Sequence, residues 1–139
     1  MIDNIIALIS MIRDRANRYI VSNMEKRGLH GLVPSHGTIL YSLLEKKKLS
    51  MKELAQKTGK DKSTVTALVD KLIAMGYVIR EKDADDQRSF CISLTENGES
   101  LKNDFFGISE GLMTAIYSGI TDEEIKSLLA TLNKMKDNI

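Results

Sequence analysis

Lys62, Ser63, Thr64 and Thr66 place short hydrogen-bonding side chains beside a cation, in a stretch whose apolar residues Val65, Leu68, Val69 and Leu72 recur at helical spacing. A helix of this kind buries one stripe and leaves its first turns free. Small hydroxyls near a helix start, with a lysine for phosphate, suit reading of base edges in a DNA major groove. Ser and Thr cost about a few tenths of a kcal/mol per residue in a helix relative to Ala, so their presence here sacrifices a little propensity. The bland alternative is a merely solvated face. Further along, Arg80, Lys82 and Arg88 are cations able to reach a minor groove or its phosphates, Arg88 being the favoured one. Asp83, Asp85 and Asp86 would repel phosphate, but a carboxylate can fix a guanidinium through a bidentate pair, and Asp86 is the candidate partner of Arg88. An ordinary charged turn is the competing reading of this loop.

Other chemistry finds little footing. His30 and His36 pair with no nucleophile motif and have no metal-ligand spacing on a helix, so neither catalytic residues nor a metal or other cofactor is expected. The single cysteine, Cys91, excludes an intramolecular disulfide framework and a cysteine-rich zinc site. Its place on an expected strand marks it as an inert thiol rather than a redox sensor. The early apolar run from Ile5 to Ile12 is short and follows Asp3 rather than basic residues, which fits neither a signal peptide nor a membrane span and points to a cytoplasmic protein.

The elements that must position these groups are mostly helices. The chain has 139 residues, 42% of them hydrophobic, enough for one domain with a core. Net charge is only +1, yet residues 46–88 hold 11 Lys/Arg against 7 Asp/Glu, so positive charge concentrates where the candidate site lies. A long amphipathic helix is expected from 2 to about 26, and a second from Pro34 through Leu44, closed by Lys46 to Lys48. Ser50 with Glu53 forms a capping box for a third helix, Gly59 supplies its left-handed turn, and Asp61 caps the fourth, 62 to about 75. Ala55, Gly59 and Val65 hold the packing positions between the last two. A hairpin follows, with strands at 77–81 and 89–94 around a polar tip, the second alternating Phe90, Ile92 and Leu94 with Cys91 and Ser93. Thr95 caps a fifth helix running through Ile116, and Thr121 with Glu124 boxes a last one. The expected fold is mainly α with a small β-hairpin wing: a winged helix-turn-helix over about 34–94, flanked by terminal helices at about 1–27 and 95–139. Their apolar stripes exceed what a small winged domain covers, which favours a homodimer over stripes that fold back on their own domain.

These residues carry a resemblance. Asp61-Lys62-Ser63-Thr64-Val65-Thr66, Leu72 through Gly76, Arg80-Glu81, Asp83 with Asp86-Gln87-Arg88, and Leu94-Thr95-Glu96-Asn97-Gly98 resemble, in order and spacing, the MarR family of regulators. The resemblance extends over essentially the whole chain, residues 1–139 forming one such domain. It implies a homodimer on a pseudo-palindromic operator in double-stranded DNA, with helix 62–75 in the major groove and Arg88 in the minor groove. It also implies control by small ligands or oxidants, through a pocket near the first two helices. For such a pocket Arg18 and His36 are the candidate polar lining, and a small aromatic or phenolic effector is the candidate ligand. Two departures matter: Ala67 offers only a methyl where the family often has a larger or basic residue, so base specificity does not transfer, and Cys91 is not near the N-terminal helix, where peroxide sensors of the family usually carry theirs. A winged-helix protein-interaction module is the competing function, but its exposed helix would need aromatic or large apolar anchors in place of Lys62, Ser63, Thr64 and Thr66.

Overall fold

A computed structural model describes residues 4–86 and 88–139. The elements in chain order are α1 (Ile5–Lys26), α2 (Pro34–Glu45), β1 (Lys48–Ser50), α3 (Met51–Thr58), α4 (Lys62–Ala74), β2 (Val78–Lys82), β3 (Phe90–Leu94), α5 (Glu96–Glu99), α6 (Lys102–Ile116) and α7 (Asp122–Asp137). The three strands form one antiparallel sheet in the order β1-β3-β2.

Local chemistry sets most boundaries. The Ser50 hydroxyl accepts from the Glu53 N–H while the Glu53 carboxylate accepts from the Ser50 N–H, both at 3.1 Å, which fixes the start of α3. Gly59 ends that helix at φ +67°, in the left-handed region that costs glycine nothing. Thr121 and Glu124 repeat the reciprocal cap at α7. Among the described residues no helix is long and apolar enough to cross a membrane.

The core gathers around α2 and α4. Ile39, Leu40 and Leu43 of α2 meet Val65, Val69 and Leu72 of α4, all buried, with Leu54 of α3 and Ile92 of β3 closing the cluster. Toward the C-terminal side α6 packs on α1 at two glycines one turn apart. A Cβ at Gly107 would stand 3.0 Å from the Arg27 guanidinium and one at Gly111 2.5 Å from the Tyr19 hydroxyl. Arg27 also bonds Asp104 at 3.3 Å.

Three expectations are corrected. The sheet has three strands rather than two, because the lysine run does not finish α2. The helix stops at Glu45, Lys46 turns extended at φ −119°, and Lys48 to Ser50 pair with β3. Burial drives this, since Leu49 opposite Ile92 is 1% exposed. The helix expected from Thr95 to Ile116 is broken. Thr95 caps only the single turn of α5, accepting from the Gly98 N–H, and α6 starts anew at Lys102. The turn is pressed so close that a Cβ at Gly98 would run into the Tyr77 carbonyl oxygen. Finally, Phe90 is exposed at the outer end of β3, so of its alternating residues Ile92 alone is fully buried.

Candidate nucleic-acid interface

The free face of α4 begins at its cap. Asp61 accepts from the Thr64 N–H at 2.8 Å and the Ser63 hydroxyl at 2.9 Å, and those bonds, Thr64 first, hold its carboxyl below the usual range. Lys62, Ser63 and Thr64 are exposed while Val65, next in the chain, is fully buried, so one turn presents its polar side chains outward and drives its apolar one inward. Thr66 is half-buried and its hydroxyl donates to the Lys62 carbonyl at 2.9 Å. Ala67 is exposed on this helix, and Lys57 and Lys60 stand just before it on α3 and its turn. The sequence reading assigned neither lysine a role.

The wing is tied to this helix. Arg80 of β2 donates to Asp70 of α4 at 2.6 Å, with its guanidinium carbon 6.0 Å from the centroid of the Phe90 ring. Arg80, named as a DNA-contacting cation, is thus already bonded within the protein, and its partner Asp70 was missed. No spacing rule links a helix residue to a strand ten positions on. Lys82 and Arg88 are exposed.

The bidentate pair expected between Asp86 and Arg88 is not formed. Asp86 Oδ1 accepts from the backbone N–H of Arg88 at 3.0 Å and Oδ2 from the Ser89 hydroxyl at 3.2 Å. A carboxylate two residues back in a tight turn reaches the backbone before it reaches a guanidinium, as aspartates in turns commonly do. Asp83 acts likewise on the Asp85 N–H, at 3.0 Å. The acidic loop therefore organises its own backbone and leaves the Arg88 side chain outside. Gln87, quoted in the wing motif, lies outside the described residues.

Arg18 and His36 are not brought together. Arg18 is exposed on α1 in a shallow groove with Glu25 and Pro34. His36 is buried in the first turn of α2, its Nδ1 accepting from the Val33 N–H at 2.9 Å and its Nε2 without a partner among the described residues. Burial, and secondarily the charge of Lys71, lower its pKa. Lys71, on α4, itself donates to the Gly31 carbonyl in the loop before α2. A separate cavity of about 260 Å³ lies between α1, α2 and α6, lined by Ile20, Gly37, Tyr41, Phe105, Ile108 and Leu112 among others, and neither Arg18 nor His36 lines it. Cys91 is half-buried, and burial first, then Asp83, raises its pKa, the reverse of what a reactive thiolate needs. No cluster of three metal-ligating side chains occurs among the described residues.

Two helices joined through a glycine turn, the second with an outward polar face, followed by a hairpin bonded to it, define a winged helix-turn-helix protein. A model of the MarR family matches residues 30–89. The uncharacterized HTH-type transcriptional regulator YcgE of Bacillus subtilis is 32% identical over 130 residues, covering 93% of this chain and 84% of that protein. A MarR transcriptional regulator from Methanosarcina mazei superposes with a TM-score of 0.82 at 26% identity, over 96% of this chain and 94% of that one. A mutant MarR from E. coli complexed with operator DNA shares the fold, with a TM-score of 0.82 at 20% identity over 93% and 91% of the two chains. The chain belongs to the MarR family of transcriptional regulators.

Proposed function

We propose that this regulator is a homodimer that binds a pseudo-palindromic operator in double-stranded DNA, and that a small aromatic or phenolic effector modulates it. The observation that carries the reading is the first turn of α4, where Lys62, Ser63 and Thr64 face outward on a helix anchored by buried Val65, Val69 and Leu72. In the major groove Ser63, Thr64 and Thr66 meet base edges and Lys62 meets phosphate. From the wing, Arg88 enters the minor groove and Lys82 meets the backbone. Arg80 braces the wing, and Asp86 orders the turn that presents Arg88. The E. coli protein of the same fold that was crystallised on operator DNA supports the assignment.

Residues 34–94 form the DNA-reading unit in this account, and 1–27 with 95–139 the dimerisation helices. Ile6 and Leu8 of α1 are 72% and 54% exposed, and Leu128 and Leu129 of α7 are 46% and 47% exposed. A two-fold interface covers such surface and sets the recognition helices roughly 34–36 Å apart, one turn of DNA. The cavity between α1, α2 and α6 touches both units, so an occupant that fits one arrangement better shifts the spacing of the recognition helices. The protein works in the cytoplasm and performs no catalysis.

Selection of genomic fragments by the purified protein, followed by anisotropy titrations over a salt series, tests the reading. An inverted repeat should emerge, with affinity falling steeply as salt rises. Arg88→Ala should weaken binding by about ten-fold, in line with 1–3 kcal/mol for a specific groove contact. Failure to enrich any fragment, with Arg88→Ala indistinguishable from wild type, would favour a protein partner for the same face.

A further inference from the structure

The cavity between α1, α2 and α6 supports a sharper statement, which rests on the effector reading above: we propose that it takes an uncharged, flat, ring-containing molecule with one polar corner and discriminates against the matching carboxylate. Its volume of about 260 Å³ exceeds the roughly 150 Å³ of an apolar cavity that accepts benzene, so one or two fused rings fit. Gly37 contributes bare backbone to the lining. A Cβ there would lie 3.5 Å from Phe105 Cε1, at the wall. The Tyr41 ring is held edge-on to Phe106, centroids 5.7 Å apart at 78°, which fixes one side of the slot.

Charge decides the class of occupant. None of the described lining residues carries a formal charge. Of the charged groups nearby, Arg27 bonds Asp104 and Lys102 lies over the Phe106 ring, while Arg18 is exposed in the adjoining groove beyond Pro34 and does not line the cavity. The polar lining is hydroxyl. Thr38 donates to the Pro34 carbonyl at 3.3 Å and Ser42 to the Thr38 carbonyl at 2.7 Å, both within α2. The Tyr41 and Ser109 hydroxyls donate to no acceptor among the described residues and remain available to one polar group of a ligand. Two neutral hydroxyls replace the partners of an alcohol or amide but not the hydration of an anion.

Titration of the full-length protein with naphthamide and naphthoate, followed by NMR of the aromatic and methyl resonances around Tyr41, Phe105 and Ile108, separates the possibilities. The amide should bind more tightly than the carboxylate by about ten-fold or more. Thr38 is exposed at the lip of the cavity, so Thr38→Arg adds a cation there and should narrow that ratio by tightening naphthoate binding. Naphthoate binding as well as naphthamide to the wild type overturns the uncharged class and leaves the effector reading intact. Neither compound moving these resonances overturns both, and the wild-type comparison alone decides between these outcomes.

Discussion

His36 illustrates how a single buried group makes this fold sensitive to acid. Its Nδ1 accepts from the Val33 N–H at the start of α2, which requires the neutral imidazole, and Lys71 nearby opposes a second positive charge. Histidine in an unfolded chain titrates near pH 6.5, and burial and Lys71 lower that value in the folded protein. Between the two values the unfolded chain binds a proton that the folded one does not. Stability therefore falls as pH drops below about 6.5 and owes nothing to this group above it. Thermal melts at pH 7.5 and 5.5 should show that loss. Gln at the same position of a capping box accepts the same N–H without titrating, so His36→Gln should flatten this part of the profile. An unchanged profile in the variant would mean that other groups set the acid sensitivity. From the sequence the histidine stood as candidate polar lining of an effector pocket, because nothing in its neighbours tells which ring nitrogen meets a backbone donor or that the residue will be buried.

At the scale of elements, the bond that Arg80 donates to Asp70 ties the wing to α4. The pair is partly solvated, with side-chain exposures of 57% and 30%, so its contribution to stability is about 1 kcal/mol or less. Its consequence for binding is larger, because a wing free to rotate must be ordered at the moment Arg88 enters its groove. Asp70→Asn should lower the melting temperature only slightly while weakening operator binding several-fold. Equal affinity for variant and wild type in the same anisotropy assay would show that the sheet alone holds the wing. Caps and periodicity made α1, α2, α3, α4 and α7 readable, since each is written in contiguous residues: Ser50 with Glu53, Asp61 with Thr64, Thr121 with Glu124. What escaped depends on residues far apart in the chain. β1 exists because Leu49 is buried opposite Ile92, and the break after α5 follows from Gly98 being pressed on Tyr77. The recognition face was legible from residue types, whereas the Asp70 partner of Arg80 and the backbone preference of Asp86 required the turn and the helix to be placed first.

The whole molecule ends in surfaces that a single chain leaves bare. In α1 only Met24 is buried, in α7 nothing is, and Ile9 and Leu128 are 41% and 46% exposed. An exposed apolar residue by itself means little, but here six large ones, Ile5, Ile6, Leu8, Ile9, Met11 and Ile12, are exposed within the first eight residues of one helix. If a second copy covers these faces, the DNA-binding property belongs to the pair. Each winged unit then reads half a site, and the second half-site is met at the high effective concentration that the first contact imposes. Replacing Ile9 and Leu128 with Glu buries two charges in that interface while touching none of the fully buried core. Circular dichroism should therefore be unchanged, and sedimentation should move from dimer to monomer. Operator affinity should fall by about a hundred-fold or more, the scale at which linked half-sites outbind single ones. A wild-type protein that sediments as a monomer at micromolar concentration would instead require the terminal helices to fold back on their own domain. In that case the double substitution should unfold the chain rather than separate two intact copies.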